Sequence, residues 1–250
     1  MITQSYKVIL VSIAIFGLFT VCQAETVPAA RVLVYHSIRP WYIGMSDGTK
    51  LYTVRPESFE AQLKYLCDSG YSIISLDDLV SSSENKLPLP PNPVVLTFDD
   101  GWKNQYTYAF PIIKKYNATA TFFIFTNGQG HSSYLSWDQL REMSNAGMTI
   151  GSHSKSHPYL TRMTNKEQLV KEVIGSKEAI ESEIGKQVTA FAYPFGLYSE
   201  TLVSLLKESG YKEARLFGGG AYQEGDNPFT IKSVFVTDDL ERFKNLLKTH

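Results

Sequence analysis

Two carboxylates, Asp99 and Asp100, stand side by side after the apolar run 93–98 and just before Gly101. Neighbouring residues on a strand point to opposite faces, and two like charges this close resist joint ionisation unless a cation lies nearby. Asp-Asp-Gly is also ordinary turn chemistry, so its meaning depends on what the fold brings to it. His153 and His157 supply a complement: separated by three residues in a Gly/Ser-rich turn closed by Pro158, they can present two imidazoles to one ion. Two neutral nitrogens and one carboxylate form a facial triad that leaves positions open for water and substrate, as hydrolytic metal sites require. One aspartate then binds the ion while its neighbour moves protons.

Positioning such groups needs strands that end at one place. Strands are expected over 32–35, 71–74, 94–98, 120–125, 148–150, 190–192, 214–217 and 231–236, and helices over 57–68, 104–116, 137–145, 165–184, 200–208 and 239–248. Ser136 reads as an N-cap, Thr164 with Glu167 as a capping box, and Gly70, Gly147, Gly185 and Gly210 as helix stops. Strand and helix taking turns imply parallel strands with crossover helices. The repeats predict an irregular (β/α) barrel of about seven parallel strands, a single catalytic domain. Reactive groups of such barrels lie at the C-terminal ends of strands. That rule gathers His36, the two aspartates, the His153 turn and the 193–196 segment. Segments 41–50, 87–93, 127–133 and 217–226 read as loops, and His131 in one of them as a surface residue.

The 250 residues, 43% apolar and 20% charged, are those of a globular chain. Residues 1–24 stand apart. Lys7 precedes the apolar run 8–21, and the segment ends in Ala24, the layout of a secretory signal peptide too short for a comfortable membrane span. Cleavage after Ala24 would leave a domain over 25–250; a retained leader would attach it to a membrane, and a lipidated Cys22 is disfavoured by the bulky Val21. Each alternative places the domain outside the cytoplasm, in the periplasm or the surrounding medium. Losing the leader removes Lys7 and no acid, leaving 23 bases against 25 acids, a formal charge of −2. That balance offers no footprint for nucleic acid. Cys67 remains without a disulfide partner and falls at helical spacing among apolar residues, which suggests a buried thiol. A monomer is expected.

Three stretches together resemble a known family: Leu96-Thr97-Phe98-Asp99-Asp100-Gly101, then Ser152-His153-Ser154-Lys155-Ser156-His157-Pro158, then Phe191-Ala192-Tyr193-Pro194-Phe195-Gly196. In order and spacing they look like the successive motifs of the polysaccharide deacetylases, carbohydrate esterase family 4. Val32-Leu33-Val34-Tyr35-His36-Ser37 resembles the branch acting on poly-β-1,6-N-acetylglucosamine of biofilm matrix, in which the acid histidine comes from the first strand. The resemblance implies that Asp100, His153 and His157 hold a divalent metal, most simply Zn2+, with Asp99 as general base and His36 as general acid. It places Tyr193, Pro194, Phe195 and Gly196 with Trp102 at the substrate, the Phe195 N–H serving the oxyanion. Where many relatives carry an arginine before Pro-aromatic-Gly, this chain has Ala192, which leaves Asp99 without its usual orienting group; no Asp-x-Trp follows Gly210 to support His36, and His250 reads as tail.

The implied reaction is metal-dependent N-deacetylation of an extracellular N-acetylglucosamine polymer. Chitin or peptidoglycan as substrate, and a non-catalytic saccharide-binding protein on the same fold, stay open. A glycosidase does not: its two acids must stand about 5–9.5 Å apart across a bond, whereas adjacent residues have Cα atoms about 3.8 Å apart.

Overall fold

A computed structural model describes residues 29–85, 87–223 and 225–248. The leader expected over 1–24 and the tail residue His250 lie outside the described residues. The chain runs β1 (Arg31–Tyr35), β2 (Ser37–Ile38), α1 (Asp47–Leu51), β3 (Thr53–Val54), α2 (Pro56–Asp68), β4 (Ser72–Ile74), α3 (Leu76–Asn85) and β5 (Pro93–Phe98). It continues through α4 (Phe110–Lys115), β6 (Thr121–Ile124), α5 (Trp137–Asn145), β7 (Thr149–Ser152), α6 (Lys166–Ile184), β8 (Ala190–Ala192), α7 (Glu200–Glu208), β9 (Glu213–Gly219), β10 (Ile231–Phe235) and α8 (Leu240–Lys248).

Seven parallel strands close a ring in the order β1, β5, β6, β7, β8, β9, β10 and back to β1. The ring is irregular at β5. Its first half pairs with β4 (Ser72 to Pro93, Ile74 to Val95) and its second half with β6 (Thr97 to Thr121, Phe98 to Phe122). All of β5 is buried because both faces are covered. Val94, Leu96 and Phe98 join Phe59, Leu63 and Leu66 of α2 in the layer between strands and helices. On the alternate face, Val32, Val95, Phe123, Ala190, Ala192 and Ile231 fill the barrel and pack on Leu76, Leu79 and Val80 of α3. Burying each such Val, Leu, Ile or Phe contributes about 1.5–3 kcal/mol. With Lys212, just before β9, near Asp77, α3 plugs the end from which the strands start and leaves the other open.

Local chemistry explains most boundaries and several departures. Ser136 and Gln139 form a reciprocal capping box on α5. At α6 the cap is Asn165, which accepts from the Gln168 N–H, one residue beyond the expected Thr164; Gly185 at φ 68° ends the helix. The expected helix 104–116 divides into a π-helical turn, Gln105–Ala109, and α4. Segment 41–50 is not all loop, since Ser46 caps the short α1. Nor is 217–226 all loop, since β9 runs on to Gly219. Cys67 is exposed: α2 buries Phe59, Gln62, Leu63 and Leu66, and the next residue turns about 100° away from that stripe.

Candidate active site

The open end of the ring collects the strand-terminal residues. Asp99 N–H donates to Tyr35 O (2.9 Å) and His153 N–H to Ile124 O (2.8 Å), so both ladders extend one residue past their strands. Asp99 keeps the alternation of Val95 and Thr97 and points into the barrel. Asp100 does not, because its φ is 70°. This left-handed residue turns the second carboxylate out toward the histidines, and Gly101 follows at φ 68°, where a Cβ would lie 2.8 Å from Ile124 Cγ2. The adjacent acids are thus parted by backbone geometry into one inward and one outward group.

Asp100 meets His153 and His157. Its Oδ2 accepts from Trp102 Nε1 (3.1 Å), and its Oδ1 lies 3.9 Å from His153 Nε2 and 3.7 Å from His157 Nε2. The two Nε2 atoms are 3.2 Å apart. The donor atoms of these three residues lie within 4.8 Å of one another. Ligands at about 2.0–2.2 Å around a tetrahedral ion are separated by about 3.3–3.6 Å, so the cluster fits a small divalent cation with little movement. The tautomer fits too. His153 Nδ1 lies 2.7 Å from Ala192 O; a carbonyl only accepts, so Nδ1 carries the proton and Nε2 offers its lone pair. Burial lowers this imidazole to about 4, against the pull of Asp99 and Asp100, which leaves it neutral near pH 7, as a metal ligand must be.

The turn between the histidines is held from α6. Glu172 accepts from the N–H groups of Lys155 (3.0 Å) and Ser156 (2.8 Å) and from Ser156 Oγ (2.6 Å). His157 donates its N–H to Ser154 Oγ at 3.0 Å. Its ring sits 4.7 Å from that of Phe195.

Asp99 is 3% exposed and has a partner that motif reading missed. Arg215 Nη2 donates to Asp99 Oδ1, and Arg215 is the register partner of Ala192 on the neighbouring strand. The orienting arginine absent at 192 is therefore supplied sideways from β9, correcting the expectation of a poorly anchored Asp99. Burial alone would raise the Asp99 carboxyl; the Arg215 charge, then His153 and His36, more than offset it and hold the group below its ordinary value. It is a carboxylate at neutral pH. The sequence carried one signal of this, an arginine inside the apolar stretch 214–217, since buried charges are almost always paired.

His36 has no carboxylate partner among the described residues. Its Nδ1 is buried without a hydrogen bond, and rings of Tyr52 (5.1 Å), Phe217 (5.7 Å) and Phe235 (5.7 Å) enclose it. Gln105, from the π-helical turn, donates through Nε2 to both His36 O (2.7 Å) and Asp99 O (2.6 Å). It ties together the two strand ends that carry the proposed acid and base.

The remaining sequence candidates separate into two kinds. Phe195 stands at φ 60°; the residue is 46% exposed and its ring is stacked on Tyr159 at 3.9 Å. Gly196 must lack a side chain, since a Cβ would meet Phe217 N at 2.6 Å. Trp102 is half-buried and stacks on Tyr134 at 4.7 Å. Pro194 is buried. Tyr193 lines the floor of the cleft but is only 2% exposed, and its hydroxyl donates to Phe229 O at 3.0 Å, so it offers a sugar little surface. His131 is exposed, as expected. His36, Asp99, Asp100, Trp102, His153 and His157 share one cleft of about 710 Å3 with Phe195, within the size range of small-molecule sites.

Comparison with known proteins agrees with this geometry. The profile of the polysaccharide deacetylase family matches residues 86–214. The YxkH protein of Bacillus subtilis (strain 168) is 31% identical over 207 residues, covering 82% of this chain and 71% of that one. A poly-β-1,6-N-acetyl-D-glucosamine N-deacetylase of Staphylococcus aureus (strain MSSA476) is 25% identical over 241 residues, covering 88% and 82%. Among solved structures, the Streptococcus pyogenes deacetylase PplD in complex with acetate is similar with a TM-score of 0.81 and 26% identity, covering 90% of this chain and all of that one. The chain belongs to the polysaccharide deacetylase family. It is an enzyme, a metal-dependent hydrolase of the amide bond that joins an acetyl group to a polysaccharide.

Proposed function

We propose that this enzyme acts on the N-acetylglucosamine units of poly-β-1,6-N-acetylglucosamine outside the cytoplasm. In this account the segment 1–24 exports the chain, and Asp100, His153 and His157 hold Zn2+. The observation that carries the mechanism is the convergence of those three donors with Asp99 and His36 in one cleft. The polymer is supported by the 25% identity to the staphylococcal enzyme over 88% of this chain.

When bound, the ion supplies Lewis acidity, polarising the acetamide carbonyl and lowering the pKa of a nearby water toward about 7. The carboxylate of Asp99, kept ionised by Arg215, takes a proton from that water as the new C–O bond forms. The Phe195 N–H donates to the developing oxyanion, a contribution of about 2.7–4 kcal/mol per donor in other enzymes. An amine leaves poorly until protonated, so His36 gives its proton to the nitrogen as the C–N bond breaks. Acetate and a free amino sugar result.

The test is acetate release from β-1,6-linked N-acetylglucosamine oligomers, chitin oligomers and peptidoglycan fragments, with and without chelator. Chelator-sensitive release, fastest from the β-1,6 oligomers, is expected. Faster release from a β-1,4 substrate would overturn the polymer, and saccharide binding without release from any of them would make this a binding protein.

A further inference from the structure

The cleft that holds the metal-ligand cluster opens past Arg39, Trp102 and Asn104 into a second cleft of about 510 Å3. Arg39 and Lys103 line the second cleft, and no carboxylate does. Arg39 is rooted in the small β2–β3 ribbon, where its N–H donates to Val54 O at 3.1 Å. Its guanidinium lies 5.0 Å from the centre of the Tyr42 ring. Its Nε is buried without a hydrogen-bond partner, and it forms no ion pair among the described residues. The Arg39 side chain lines both clefts, so its charge faces whatever occupies the passage between them. Trp41 and Tyr42, 41% and 54% exposed, line the second cleft as well, with Arg55 and Lys50 over the Trp41 ring.

We propose that this second cleft seats the sugar adjoining the one being hydrolysed, and that Arg39 and Lys103 make it selective for charge. A neutral, N-acetylated neighbour is accepted; a neighbour already carrying an ammonium, which is what the reaction itself produces, is repelled. This rests on the deacetylase reading of the first cleft. A unit charge about 6 Å from a guanidinium, at an effective dielectric between that of water and a protein surface, corresponds to roughly tenfold in affinity. Deacetylation would therefore avoid runs of adjacent amines on that side of the cut.

The experiment uses two defined oligomers, one fully N-acetylated and one with a single free amine on the unit adjoining the scissile acetamide. Wild-type enzyme should favour the first by roughly tenfold in kcat/KM. Arg39→Glu should abolish or invert the ratio and Arg39→Gln should reduce it. Raising the pH until the amine is neutral should erase the wild-type preference, a change that damage to folding would not reproduce. Equal ratios in wild type and Arg39→Glu, or no preference in wild type, would overturn the proposal. Equilibrium binding of both oligomers in the presence of chelator reads the same discrimination without turnover. Should neither oligomer release acetate, the deacetylase reading fails, while the binding ratio still decides whether the cleft selects against charge.

Discussion

Replacing Arg215 by Met isolates the buried ion pair that holds Asp99. The two side chains are 1% and 4% exposed, so removing the cation strands a carboxylate inside the barrel. Breaking a buried pair in this way costs about 3–5 kcal/mol. Removing both charges differs, because exchanging a buried pair for neutral groups of similar size is often close to neutral. An Asp99→Asn/Arg215→Met double variant should therefore be more stable than Arg215→Met alone, by about 2 kcal/mol or more. Urea unfolding of the four proteins, in chelator so that metal binding adds nothing to the folded state, measures both quantities from midpoints and slopes. Acetate release should fall in all three variants. An Arg215→Met protein within 1 kcal/mol of wild type, or a double variant that merely sums the single losses, would refute the idea that Arg215 compensates the Asp99 charge.

Glu172→Ala frees the turn between the metal-ligating histidines and should weaken metal binding by about 10–100-fold, read by competition with a chromogenic chelator, with little change in unfolding. His36→Ala should slow acetamide cleavage far more than cleavage of an activated acetate ester, whose leaving group needs no proton; equal losses would argue against an acid role. Glu213 lies inside the plugged end, where burial and then Asp77 raise its carboxyl to about 7, above the ordinary 4.5. The folded state then holds the extra proton between those values, so stability falls as pH rises through that window. Glu213→Gln should flatten that slope and add roughly 3 kcal/mol at pH 8, read from urea midpoints.

Much of the site was legible because its groups are local in sequence. Asp99-Asp100-Gly101 and His153 with His157 declare their chemistry by adjacency and spacing, and the strand-end rule places them together without coordinates. Arg215 was not legible as the partner of Asp99. The two are 116 positions apart, and only the β8–β9 register puts Arg215 in the place that Ala192 leaves empty. Gln105 was hidden differently: its position depends on a π-helical turn that apolar periodicity renders as plain helix. How little of Tyr193 faces the cleft was not legible either, since its hydroxyl is drawn inward by Phe229 O, 36 positions away. The fold was readable through its strand–helix alternation, whereas α3 carries a single turn of apolar period, Leu76, Leu79 and Val80, before its serine-rich second half, too short a signal to announce the helix that plugs the barrel.

The most direct test of the central division of labour is bound metal per chain, by elemental analysis after dialysis against Zn2+, paired with acetate release. Wild type should hold one ion and turn over. Asp99→Asn should keep the ion and lose turnover, and His153→Ala should lose both. Equal metal loss in the two variants, or wild-type turnover that survives complete removal of the metal, would contradict the account.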